Sequence, residues 1–210
     1  MKKYIIALFS VAALAAASTF AHADTIYYLT QDACSGTCGT GPFGTIDLSQ
    51  NGSGSSATVT VTLTLAANEN FAGTGAGDAL EFNLANVGAP VTITGITSGF
   101  GVGPSPDTAS AFGSFGYSVT CTSCQGGNGP VGPLTFTVGD SNGVLLSDFI
   151  ANTGGFYFAA DILGNNGNTG NVGAIGGSSP SPTPEPSSLM LLGTGIVGAA
   201  GLMRRRLFRA

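Results

Sequence analysis

The chain has 210 residues, 43% hydrophobic and only 8% charged, with 34 glycines, one histidine, no tryptophan and a formal net charge of −5 at pH 7. Its six basic residues, Lys2, Lys3, Arg204, Arg205, Arg206 and Arg209, sit at the two ends, and the histidine is His22, so Asp24 to Thr183 contains no Lys, Arg, His or Trp. Nucleic-acid binding, which needs cations to displace phosphate counterions, is thereby excluded, as are Ser-His-Asp and Cys-His nucleophiles, histidine-ligated zinc catalysis and lysine Schiff bases.

The same stretch holds every acid except Glu185: Asp24, Asp32, Asp47, Glu69, Asp78, Glu81, Asp107, Asp140, Asp148 and Asp161. Two-carboxylate glycoside hydrolysis is the one acid-only chemistry this leaves. No pair of acids stands out in the sequence, so no enzyme activity and no cofactor is expected. Apolar residues are plentiful enough for a stretch of this length to bury one sizeable core.

Met1-Lys2-Lys3 is a basic start, Tyr4 to Ala17 an apolar run, and Ala21-His22-Ala23 a small-x-small cleavage pattern. Residues 1–23 therefore read as a secretory signal peptide, with the mature chain beginning at Asp24. Thr25 to Thr30 is β-branched and aromatic and predicts a first strand. Gly39 to Gly44 predicts a turn-rich link. In Ala57 to Leu65, Val59, Val61, Leu63 and Leu65 alternate with Thr58, Thr60, Thr62 and Thr64, the period of a strand with one buried and one wet face. The polar turn before it includes Asn51-Gly52-Ser53, read as a solvated loop.

Strands are further predicted at Asp78 to Leu84, Val91 to Ile96, Phe115 to Thr120 and Leu134 to Val138, followed by a turn at Gly139 to Gly143. Val144 to Ala151 suits a strand or a short helical turn, and Phe156 to Ile162 is expected to be the last core strand. From Gly164 the chain is Gly-Asn-rich, and 176–183 reads as a Gly/Ser/Pro linker with polyproline-like stiffness. Short strands separated by Gly-rich turns predict an all-β ectodomain over 24–175, a β-sandwich or jelly roll. A β-helix is the rival fold, but no fixed repeat is present.

Cys34, Cys38, Cys121 and Cys124 are the only cysteines. In an exported protein they allow three disulfide pairings. Local bridges Cys34–Cys38 and Cys121–Cys124 at strand ends are favoured. A four-thiolate zinc site and a Cys-x-x-Cys redox pair are the sharper alternatives. Asp140-Ser-Asn-Gly and the stretch from Asp161 offer oxygens to calcium, but ordinary turns use the same residues. Tyr27, Tyr28, Tyr117 and Tyr157 are expected to pack on the sheets rather than stack on sugars.

The tail is the most specific stretch. Ser187 to Met203 is uncharged and, as a helix, spans roughly 25 Å, near the lower limit for a transmembrane helix. Arg204, Arg205 and Arg206 form a basic stop that keeps the following end cytoplasmic and the ectodomain outside. Pro184-Glu185-Pro186, then a short Gly-rich apolar helix, then this Arg cluster, resembles the PEP-CTERM sorting signal of Gram-negative bacteria, here over 184–210. The resemblance implies that an exosortase, a membrane-embedded cysteine transpeptidase, recognises the chain and cuts it near Pro184-Glu185-Pro186. It also implies residence in the outer envelope or exopolysaccharide matrix, the apolar helix anchoring the chain until it is cut.

The function expected from these features is that of an exported, non-catalytic cell-surface or matrix structural protein, with exosortase and exopolysaccharide or envelope components as partners and no nucleic acid. The alternative is a carbohydrate- or calcium-binding surface module on an uncut single-pass anchor.

Overall fold

The structure is a computed structural model that describes residues 24–74, 77–88, 90–124, 126, 129–178 and 193–195. The stretch expected as a signal peptide, 1–23, and most of the tail lie outside the described residues. So do Pro184, Glu185, Pro186, Arg204, Arg205, Arg206, Ala21 and Ala23, whereas Asp24 opens the first strand. All named strands fall within the compact unit His22–Pro180.

Two antiparallel sheets pack face to face. The first runs in the order β16 (Gly177–Ser178), β1 (Asp24–Leu29), β3 (Gly44–Asn51), β4 (Thr58–Leu65), β12 (Leu134–Gly139) and β7 (Thr92–Thr94). The second runs β2 (Gln31–Cys34), β15 (Thr169–Ala174), β14 (Phe158–Leu163), β6 (Leu80–Leu84), β11 (Tyr117–Cys121) and β8 (Phe100–Val102). Two short strands extend the second sheet: β5 (Asn70–Phe71) on β14 and β13 (Phe149–Ile150) on β6.

Period-two patterning sets the register. Val59, Val61, Leu63 and Leu65 of β4 point inward beside Ile46 and Leu48 of β3 and Leu134, Phe136 and Val138 of β12. Leu80, Phe82, Phe158, Ala160, Ile162, Val172 and Val119 face them from the second sheet. Phe82 links the layers: its ring centroid is 5.8 Å from that of Phe136 and 5.6 Å from that of Phe149. Each such side chain taken fully from water contributes roughly 1.5–3 kcal/mol, and this is the main force holding the sheets together. Outward, the first sheet is hydroxyl-rich: Thr62 pairs with Thr135, Thr60 with Thr137 and Thr137 with Thr94 across the strands.

The second sheet is covered on its outer face as well. A separate hairpin, β9 (Asp107–Ala109) and β10 (Gly113–Phe115), lies over it. Ala109, Phe112 and Phe115 of this cover form a second small core with Ala159 of β14, and Ala33 and Phe156 pack against it. The Phe112 ring packs against Gly173, where an added Cβ would stand 3.2 Å from its nearest ring carbons.

The sandwich agrees with the sequence-based expectation, but several elements do not. Phe156 to Ile162 is not the last core strand: β15 follows it, with Val172 and Ala174 buried. Pairing continues to β16, inside the stretch expected as linker. β3 begins at Gly44, the last residue of the predicted link, and carries the buried Ile46 and Leu48. Phe115 to Thr120 is not one strand; it breaks at Gly116, whose N–H donates to Asn83 Oδ1 at 2.7 Å. Val144 to Ala151 combines both options, a 3-10 turn over Leu146–Asp148 and then β13.

Candidate functional site

The disulfides are Cys34–Cys38 and Cys121–Cys124, each closing a small loop at a strand end, β2 and β11. With all four sulfurs bridged, no thiolate is left for the four-thiolate zinc site, and Cys121 and Cys124 stand in the disulfide form. Among the described residues, Asp32, Cys34 and Cys38 are the trio that bring potential ligand atoms within 4.8 Å of one another, but the disulfide leaves only the Asp32 carboxylate available. That carboxylate is occupied as a loop organiser: it accepts from the Cys34 and Cys38 N–H groups at 2.9 and 3.0 Å and from the Thr37 hydroxyl. Burial raises its pKa somewhat, and these three donors more than offset that and hold it below the usual value.

The two stretches weighed as calcium loops or ordinary turns lie within the described residues. Asp140 is a turn residue, accepting from the backbone N–H groups of Asn142 (2.9 Å) and Gly88. Asp161 is no loop ligand: it lies within β14, is 2% exposed, and accepts from the Thr74 N–H at 2.8 Å and from the Thr74 hydroxyl. Burial raises its pKa against those donors. It forms one wall of a cleft of ≈ 260 Å³, with Thr74, Ser110 and Asn171 among the other lining residues. Tyr27 is buried, its ring 4.9 Å from that of Phe158, and Tyr117 stacks on Phe82 at 5.7 Å. Tyr157 packs beside Tyr27 at 5.1 Å, and Tyr28 is the exposed member at 43%.

The most unusual chemistry was not legible in the sequence. It lies on the outer face of the second sheet, beneath the 103–116 cover. Glu81 sits on β6 between the inward-facing Leu80 and Phe82, so it points outward, opposite Ser118 of β11 and Ala159 of β14. There it is 0% exposed. Its Oε1 accepts from the Asp78 N–H at 3.2 Å. Asp107, at the start of β9, brings a third carboxyl beside those of Glu81 and Asp78. No donor reaches Glu81 Oε2 or Asp78 Oδ2, both of which are buried. The Ser118 hydroxyl donates to the Pro104 carbonyl at 2.9 Å and, with the Thr120 hydroxyl, also lies against the Asp78 carboxyl.

Burial pushes the Glu81 carboxyl up to about 9; the Asp78 N–H acts against the rise, and the Asp107 and Asp78 charges add to it. Asp78 is raised by burial, with the Ser118 and Thr120 hydroxyls opposing and Asp107 reinforcing. The sequence hides this cluster because Glu81 alternates with core residues as a solvent-facing residue should. The available signal was Phe112 and Phe115 in a Gly-Ser-rich stretch, two large apolar groups with nothing to bury them except a cover over this face.

Residues 182–206 match the family profile of the PEP-CTERM protein-sorting motif. No curated protein and no solved structure matches the chain. The match establishes the resemblance of the tail: the chain carries a PEP-CTERM sorting motif, which implies an exported protein processed by an exosortase. Residues 193–195, inside that motif, are helical, and among the described residues no helix is long and apolar enough to cross a membrane.

Proposed function

We propose that this protein is a non-catalytic structural component of the cell surface or exopolysaccharide matrix, delivered there through its C-terminal motif. The observation that carries the reading is the sorting motif at 182–206 joined to a body that lacks every basic side chain. The geometry supports the absence of catalysis. Among the described residues, the cluster of three carboxyls has Glu81 fully enclosed, so a glycosidic bond cannot reach it. The two disulfides suit an oxidising compartment, and the threonine-lined outer sheet offers uncharged hydroxyls for hydrogen bonding to sugars. Fractionation of native cells tests the proposal. The whole chain is expected with the envelope or matrix polysaccharide, and a chain lacking 184–210 is expected elsewhere. An identical distribution of the two, or retention of the whole chain in the cytoplasm, overturns it.

A second reading, a carbohydrate-binding module, draws on the cleft beside Asp161 and on exposed Tyr28. Calorimetry with extracted matrix polysaccharide separates the two; the absence of any binding heat removes the module.

A further inference from the structure

We propose that Asp78, Glu81 and Asp107 form a binding site for a calcium-class divalent cation beneath the 103–116 cover, and that the cation fastens this cover to the sandwich. The site is independent of how the tail is sorted.

Three observations carry the inference. Three carboxyls from the lead-in to β6, from β6 itself and from β9 gather on one sheet face. Glu81 is fully buried among them, and two of the oxygens, Glu81 Oε2 and Asp78 Oδ2, face no donor. No Lys, Arg or His side chain lies between Asp24 and Thr183 to neutralise them. Buried carboxylates need a counter-charge, hydrogen-bond donors or a proton; no side chain here supplies the counter-charge, so a bound cation takes the place of the proton that otherwise neutralises the cluster.

The surrounding atoms fit a hard cation. Calcium takes six to eight oxygens, from carboxylates, carbonyls and hydroxyl-type ligands, in flexible geometry. Beyond the carboxyls, the Ser118 hydroxyl and Pro104 carbonyl lie in this same region. At Gly103 an added Cβ would stand 2.3 Å from Asp78 Oδ2 and 2.2 Å from Ser118 Oγ. The backbone therefore runs directly against the cluster.

The three carboxyls do not converge as closely as the 4.8 Å trio around Asp32. A cation accordingly draws the carboxyls of the cover and of the sandwich closer together. Because Asp107 belongs to the cover while Asp78 and Glu81 belong to the sandwich, one ion ties the two together.

The test uses the exported chain with both disulfides intact, in EDTA and in calcium chloride. At calcium about 100-fold above its Kd, the midpoint of thermal unfolding is expected to rise by about 5–10 °C. Amide hydrogen exchange across 103–116 is expected to slow, while exchange in β4 is unchanged. Asp107→Asn, at the edge of the cluster, and Glu81→Gln, which keeps the buried shape, are each expected to weaken calcium binding at least tenfold by calorimetry. Asp140→Asn is expected to leave it unchanged. The proposal is overturned if calcium gives no more shift than sodium at equal ionic strength. It is equally overturned if both variants bind calcium as the unaltered chain does. Should Glu81→Gln fail to fold, Asp107→Asn alone decides.

Discussion

Glu69 shows what a lone buried acid costs in a domain without basic side chains. It is 4% exposed, and its Oε2 is buried without a hydrogen-bond partner. Burial, reinforced by the Asp32 charge, raises its pKa from 4.5 to about 7. The folded chain thus holds this proton more tightly than the unfolded chain. The stabilisation is complete below pH 4.5 and is lost as pH rises through about 7, with a slope of at most about 1.4 kcal/mol per pH unit between the two. Denaturant titrations from pH 4.5 to 8 are expected to show this decline on top of the one from Glu81, and Glu69→Gln is expected to lower the slope below about pH 7 by up to about 1.4 kcal/mol per pH unit. An unchanged slope in the variant would place the titrating group elsewhere. Asp47 is a related case: burial and then the Asp24 charge raise its pKa. Asp47→Asn, which removes that repulsion, is expected to stabilise the domain near neutral pH by up to about 1 kcal/mol, measured by the same titration.

At the level of elements, alternation fixes which substitutions matter. Leu63 of β4 is fully buried between the sheets, whereas its neighbour Thr62 faces outward. Leu63→Ala is expected to cost about 2–5 kcal/mol and Thr62→Ala less than about 1 kcal/mol; chemical denaturation that ranked them equally would contradict the register. β4 and β12 were legible because apolar and hydroxyl residues alternate in them without interruption. β15 was not, because Thr169-Gly-Asn-Val-Gly-Ala174 has the composition of a loop. Its glycines serve close approach instead. Gly170 has φ +148°, and a Cβ there would lie 2.7 Å from the Cα of Cys34 on β2. Gly170→Ala is therefore expected to separate β2 from β15, seen as faster amide exchange at 31–34. Spacing and compartment favoured the two local bridges among three possible pairings, and the structure has that pairing. Each closes a loop short enough that chain entropy limits its contribution to about 2 kcal/mol.

For the molecule as a whole, the legible parts were those coded locally: the strand alternation, the disulfide pairs and the tail motif. The buried carboxyl cluster was not, because it is assembled by a cover whose position depends on contacts between residues distant in sequence, Phe112 on Gly173 and Asn83 on Gly116. The two ends of the chain and its body carry separate information. The motif at 182–206 directs sorting, while the body supplies a stable, acidic, hydroxyl-faced sandwich. The central claim is that an exosortase acts on this chain during export, and the intact mass of the protein recovered from the envelope of its native cell tests it most directly. The account predicts a chain beginning at Asp24, ending near Pro184 to Pro186, and four hydrogens lighter than its fully reduced form. A mass that still extends to Ala210 would contradict it.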